Sequence, residues 1–242
     1  MQSMPENIVL AIDAITVGYA GPPVLKNVSL AVPCGQLVTV IGPNGHGKST
    51  LLRAISGLAR LHGGAIDLDG RGIGGLAPHT IAALGVAHVP QGDLLFPQMS
   101  VEENLLMGAY TEHSKSTIAS RLDEVFTLLP RLAERRSQIA STLSGGERRM
   151  VGIGRGLMMG GHIILIDEPS LGLAPLIIEQ IYGVISNLKA SGRSILLVEE
   201  NPARVSDLAD VIHLLDNGAI VWSGLPAELM ARDELLSTYL GG

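Results

Sequence analysis

Several short runs along the chain are apolar on both faces: Leu37 to Ile41 (LVTVI), Val86 to Val89, Ile163 to Ile166 (IILI) and Ser194 to Val198. Runs without a polar alternation predict strands buried in a parallel sheet. The first belongs to a strand from Gln36 to Ile41 and leads through a glycine-rich loop into a helical stretch, Ser49 to Leu58. A second helical stretch, Leu176 to Leu188, separates the last two runs, and this alternation predicts an α/β architecture. Ile8 to Val17 and Val28 to Val32 read as two more strands, with a turn at Pro33-Cys34-Gly35. VIHLLDNGAIVW predicts a hairpin, because Asn217-Gly218 tolerates the positive φ angles of a two-residue turn. From about Val101 to Met159 the pattern turns helical, divided by Pro130 and a loop near Ser137 to Leu143. No linker, repeat or low-complexity tract interrupts it, so the reading is one domain with subdomains.

The length, 242 residues, suits that reading, and 46% apolar residues exclude a disordered chain. No apolar stretch reaches the roughly 18 residues of a membrane span. The N-terminal MQSMPENIVLAIDA lacks the basic, then apolar pattern of a secretory signal, which places the chain in the cytoplasm by expectation. Cys34 is the single cysteine, so no internal disulfide or cysteine metal cluster can form. A net charge of −6 and only 1 Trp, 4 Tyr and 2 Phe give no footprint for nucleic acid. The mean hydropathy, +0.35, is high, and a partner is expected to cover some apolar surface.

Gly42-Pro43-Asn44-Gly45-His46-Gly47-Lys48-Ser49, followed by Thr50, fits G-x-x-x-x-G-K-[ST] between a buried strand and a helix. The glycines let successive N–H groups turn toward phosphate oxygens, Lys48 adds charge, and the Ser49 hydroxyl can hold Mg²⁺. A nucleoside triphosphate is the implied ligand. The apolar strand Ile163 to Ile166 ends in Asp167-Glu168. Beside a phosphate loop, Asp167 is the candidate Mg²⁺ ligand and Glu168 the candidate base for the attacking water. Leu143-Ser144-Gly145-Gly146-Glu147 contains a helix-capping pattern, as does Ser100-x-x-Glu103. Only the former has two glycines after the cap, which weaken a first turn and suit a helix end that something approaches closely.

These motifs, in this order, resemble those of the ATP-binding cassette (ABC) ATPases over essentially the whole chain. The resemblance implies a P-loop NTPase fold with a RecA-like core, an antiparallel β subdomain and a helical subdomain. Residues 1–90 and 160–242 would form the core and β subdomain, and about 91–159 the Q-loop and helical subdomain. It also implies that Tyr19 stacks on adenine and that Gln91, in Val89-Pro90-Gln91-Gly92, touches Mg²⁺ and the γ-phosphate. Two such subunits would sandwich two ATP molecules, Ser144, Gly145, Gly146 and Glu147 of one facing the ATP of the other. Glu168-Pro169-Ser170-Leu171-Gly172-Leu173-Ala174-Pro175, Val198-Glu199-Glu200-Asn201, Val101-Glu102-Glu103-Asn104-Leu105 and Tyr239-Leu240-Gly241-Gly242 narrow the resemblance to the LivF type of branched-chain amino-acid importers. Related cassettes serve urea or short-chain amides, and Val89-Pro90-Gln91-Gly92 fits those too.

The resemblance therefore implies an ATPase at the cytoplasmic face of the membrane, peripheral to it. Its partners would be a second cassette, in a heterodimer or a homodimer, two permease subunits and, indirectly, an extracytoplasmic solute-binding protein. A soluble ABC ATPase acting on nucleic acid would carry a coiled-coil insertion or a tandem cassette, and LSGGE argues against a nucleotide kinase. Two positions depart from the pattern. Glu200 stands where most of the family has a switch histidine active in hydrolysis. A carboxylate about 4 Å from a phosphate charge would repel it by about 4 kcal/mol at an effective dielectric of 20, so Glu200 either turns away, stays protonated or pairs with a cation. A subunit that binds ATP with little hydrolysis of its own is the alternative this keeps open. His46 replaces a smaller residue and serves through its N–H alone or also through imidazolium charge. Arg131, Arg135, Arg136, Arg148, Arg149 and Arg155 form either a solvated face paired with Glu134 and Glu147 or a contact to a membrane subunit. Leu94, Leu95, Phe96 and Met99 mark the better docking candidate.

Overall fold

The computed structural model describes residues 7–92 and 94–240. Gly241 and Gly242, quoted above, lie outside them. The chain opens with β1 (Ile8–Gly18) and β2 (Leu25–Pro33), then β3 (Leu37–Ile41), all five of whose residues are buried, and α1 (Lys48–Ile55). Next come β4 (Arg60–Leu68), β5 (Arg71–Gly72), α2 (Pro78–Ala83) and β6 (Val86–Val89). A helical segment follows: α3 (Val101–Leu106), α4 (Lys115–Leu128), α5 (Pro130–Glu134) and α6 (Gly145–Met158). The chain then returns through β7 (Ile163–Asp167), α7 (Pro175–Ala190), β8 (Ser194–Glu199), β9 (Val211–Asp216) and β10 (Ala219–Gly224), ending in α8 (Pro226–Met230) and α9 (Asp233–Leu240).

Two sheets organise these elements. One has the order β2-β1-β4-β5 and is antiparallel; the other has the order β10-β9-β3-β8-β7-β6 and is parallel except for the β9–β10 hairpin. Three of the apolar runs, β3, β8 and β7, occupy the centre of the second sheet, as strands covered on both faces must, and the fourth, β6, forms its edge. Leu37, Ile164 and Leu197 face one apolar cluster with the helical segment, and Val38, Leu165 and Leu196 face another with α1 and the first sheet. Alternate residues of one strand thus serve two cores.

Asn217 (φ 44°) and Gly218 (φ 82°) make the predicted turn between β9 and β10. The helix after the phosphate loop ends at Ile55 rather than Leu58, with Ser56 as its C-cap. β4 has no counterpart among the predicted strands, because His62-Gly63-Gly64 breaks its apolar alternation and only Ile66 and Leu68 keep it. Gly64 has φ 83°, and a Cβ there would lie 2.5 Å from the Asp13 and Ala14 carbonyl oxygens, where β1 bulges against β4. Glycine in this strand is what permits the pairing.

Candidate nucleotide site

β3 delivers Gly42 to Gly47 to the N-terminus of α1, whose cap is Gly47 at φ 112°, with no side chain capping the first turn. A Cβ at Gly47 would stand 2.6 Å from Leu25 Cδ2, so this turn needs glycine both for its dihedral and for its packing on β2. Uncapped N–H groups at the start of a helix form an anion site. Gly45, Gly47, Lys48, Ser49, Thr50 and Glu168 line an open pocket there.

β7 brings Asp167 and Glu168 to the same place. The Ser49 hydroxyl donates to Asp167 Oδ1 at 3.0 Å. Lys48 Nζ lies 3.0 Å from Glu168 Oε1 and also donates to the Gly42 and Pro43 carbonyls at 2.8 and 3.1 Å. Gln91 Nε2 donates to Glu168 Oε2 at 2.8 Å. Lys48 and Glu168 are only 3% and 6% exposed at their side chains, and Glu168 has φ 42°, a costly conformation for a non-glycine residue. Burial, and secondarily the Glu168 charge, raise Asp167 above the usual carboxylate range despite its bond from Ser49. A buried hydroxyl–carboxylate pair short of positive charge suits a hard divalent cation, so the residues fit Mg²⁺. No cluster of three or more His, Cys, Asp or Glu able to hold a metal occurs among the described residues.

Other candidates fall into place around this centre. His46 Nδ1 sits 2.8 Å from Asp216 Oδ1 and 3.1 Å from the Asn217 nitrogen, so the imidazole is tied to the β9–β10 turn. Tyr19 is 49% exposed on the turn after β1, and the return of that turn, Val24 and Leu25, packs beneath Gly47. Glu200 is exposed, and its carboxylate has no hydrogen-bond or ion-pair partner among the described residues.

The signature residues form a second helix start. Ser144 caps α6 by accepting from the Glu147 N–H, while Glu147 Oε2 accepts from the Ser144 N–H and hydroxyl. Burial would raise Glu147, but the bonds from Ser144 and the charge of Arg135, 2.7 Å away, hold it below the usual range. At Gly146 the group that approaches closely belongs to the chain itself. A Cβ there would lie 2.5 Å from Ile177 Cγ2, so contact with α7 inside the chain already requires glycine; at Gly145 the nearest atom is 3.8 Å away.

The basic cluster is largely engaged locally: Arg131 pairs with Glu134, Arg135 with Glu147 and Arg136 with Glu102. Arg149 and Arg155 donate to the Gly92 and Leu94 carbonyls, so α6 grips the segment after Gln91. Leu94 and Phe96 are exposed, whereas Leu95 and Met99 are partly buried.

The model of the ABC transporter family matches residues 25–171, more than half of the chain. The chain belongs to the ABC transporter family. The high-affinity branched-chain amino acid transport ATP-binding protein BraG of Pseudomonas aeruginosa is 42% identical over 96% of this chain and 100% of its own length. The probable branched-chain amino acid transport protein LivF of Archaeoglobus fulgidus is 36% identical over 94% of this chain and 96% of its own. The lipopolysaccharide export protein LptB of Haemophilus influenzae matches at 31% over 96% of this chain and 97% of its own. The ADP conformation of the cassette MJ1267 superposes with a TM-score of 0.85 at 28% identity, covering 96% of this chain and 95% of that one. The two sheets and the helical segment are thus those of an ABC ATPase that binds ATP, and the LivF-type resemblance extends to the curated relatives.

Sequence reading passed over one group beside this site. Glu199 at the end of β8 is buried and accepts from Ser170, Tyr182 and Arg204. Its signal was present, since LLVE ends an apolar strand on an acid just as LID does at Asp167.

Proposed function

We propose that this chain is the ATP-hydrolysing subunit of an importer that energises uptake of branched-chain amino acids. The end-to-end likeness to BraG carries the solute, and the Lys48–Glu168–Gln91 cluster carries the chemistry. Gly42, Pro43, Asn44, Gly45, His46, Gly47 and Thr50 would cradle the phosphates through the loop and the α1 N-terminus, with Lys48 supplying charge and Tyr19 stacking on adenine. Ser49, Asp167 and Gln91 would hold Mg²⁺, which neutralises developing charge on the phosphates. Glu168 takes the proton of the attacking water. In the free chain Lys48 and Gln91 hold its two oxygens, so both must turn toward nucleotide before Glu168 can act as a base. Ser144, Gly145, Gly146 and Glu147 are assigned to the ATP of a second cassette, heterodimeric or homodimeric.

No helix among the described residues is long and apolar enough to cross a membrane. Two permease subunits would therefore supply the span, with a solute-binding protein outside and this subunit docked at the cytoplasmic face. The docking surface we favour takes in the exposed Leu94 and Phe96, and the groove between Leu58, Pro78, Ile81, Tyr110 and Met159, where Leu58 and Tyr110 stay exposed. The LptB likeness favours a second reading, a cassette serving another solute. Purification from native membranes with radiolabelled leucine uptake tests the first reading. Recovery with two permeases and uptake lost in Glu168→Gln supports it; a complex that moves other solutes only supports the second.

A further inference from the structure

Glu199 is 1% exposed, and four donors converge on it. The Ser170 hydroxyl, the Tyr182 hydroxyl (2.7 Å) and Arg204 Nη1 (3.3 Å) reach Oε1, while the Glu200 N–H reaches Oε2 at 2.6 Å. Arg204 Nη1 also donates to Ser170 Oγ at 2.6 Å, closing a ring. Burial first, then the neighbouring Glu199 charge, push the Tyr182 hydroxyl far up, so it acts here only as a donor. A carboxylate so enclosed costs stability unless its bonds are all made, and breaking one member leaves the others unsatisfied.

The four donors come from three places apart in sequence. Ser170 lies two residues past Glu168, Glu200 opens the loop after β8, Arg204 ends a short 3-10 turn within that loop, and Tyr182 belongs to α7. The segment begun by Ser170 continues through Leu173, 3.8 Å from where a Gly145 Cβ would lie, to Ile177, which packs on Gly146. One buried acid therefore anchors the stretch that joins Glu168 to the start of α6, and anchors the backbone of Glu200 with it. We infer that Glu199, with Ser170 and Arg204, is a positioning group for hydrolysis: it sets Glu168 and the α6 start in register and aims Glu200. The inference rests on Glu168 being the base. It also gives Glu200 a task compatible with its charge, since the position then acts through a backbone held from behind.

The test compares Glu199→Gln, Ser170→Ala, Arg204→Gln and Glu168→Gln in the full chain, measuring turnover, ATP affinity and thermal midpoint together. Glu199→Gln keeps the shape but replaces an acceptor by an amide facing the Glu200 N–H. The expected result in Glu199→Gln is a fall in kcat of about tenfold or more with ATP affinity retained, beside a thermal midpoint lowered by the bonds left unmade. Smaller falls are expected in Ser170→Ala and Arg204→Gln, and no further loss when Ser170→Ala is added to Glu199→Gln. Should Glu199→Gln not fold, the milder two carry the same comparison. Unchanged kcat in all three beside an inactive Glu168→Gln would overturn the positioning role alone. So would kcat, affinity and midpoint falling together with additive effects, which is a merely structural role. An active Glu168→Gln would overturn the base assignment, and the inference with it.

Discussion

Two helix starts in this molecule face phosphate chemistry in opposite ways. At α1 no side chain caps the first turn, Gly47 clears the approach, and a lysine and a carboxylate wait in buried contact. At α6 a capping box closes the first turn, Ser144 is engaged with Glu147, and Arg135 holds Glu147. The first site is assembled within one chain. The second satisfies the Ser144 and Glu147 N–H groups itself, and a Cβ at Gly145 would find its nearest neighbour 3.8 Å away. On the proposed role, Ser144 would exchange its hydroxyl's bond with Glu147 for one with phosphate.

The largest way to break this contrast is at the α1 end. Glu168→Gln should lower ATP turnover by about 10²- to 10⁴-fold while nucleotide still binds, measured by phosphate release beside equilibrium binding. Turnover preserved there would remove the functional distinction. Acid sharpens the comparison next. Burial lowers His213, on the strand beside β3, to about 4, and burial with the Arg53 charge lowers His88, hydrogen-bonded to the α1 C-cap Ser56, to about 4. Both stay neutral in the folded chain while unfolded histidine protonates near 6.5, so their stabilisation is whole above 6.5 and falls as pH drops toward 4. For His213 the loss is on the order of 3 kcal/mol. Urea unfolding at pH 7 and pH 4 should show it, and His213→Gln should remove that histidine's share of the difference.

At the α6 end the effects are smaller and steric. Gly146→Ala should cost about 1–3 kcal/mol through overpacking on Ile177, read as a lower thermal midpoint without nucleotide. A loss confined to the ATP-bound dimer would instead make Gly146 a ligand contact. Ser144→Ala should cost about 1 kcal/mol as a lost cap, and it should weaken ATP-driven pairing of chains in size-exclusion runs. Equal pairing in wild type and Ser144→Ala would leave Ser144 a cap and nothing more.

The parts legible in the sequence were those with a single cause. An all-apolar run such as IILI has no place but a covered strand, and Asn217-Gly218 has few conformations besides its turn. The P-loop and acidic strand end were legible as residues, and their contacts follow from the parallel pairing of β3, β8 and β7. Features with two causes were missed. The packing of Ile177 on Gly146 was missed because sequence spacing does not bring α7 across from it. β4 was invisible because a bulge in β1, far away in sequence, dictates its glycines. Glu199 was missed, since its donors come from three places apart in sequence: the stretch after β7, α7 and the loop after β8. The ion pair of Arg131 with Glu134 was readable from local spacing, whereas the hold of Arg149 and Arg155 on the Gly92 and Leu94 carbonyls spans 57 and 61 residues.

The strand that bears the phosphate loop has a consequence for how the molecule is made. β3 lies between β8 and β9, each more than 150 residues later, and Gly218 N–H and Asn217 N–H close on His46 from the last hairpin. On a ribosome, then, Leu37 to Ile41 emerges with neither neighbour, and an apolar strand with two open edges waits until Ser194 and then Val211 are synthesised. Nucleotide binding is therefore a property of the finished chain. Premature termination before the hairpin leaves a fragment that carries the whole glycine-rich loop yet exposes the strand beneath it, a substrate for chaperones and proteases rather than a smaller ATPase.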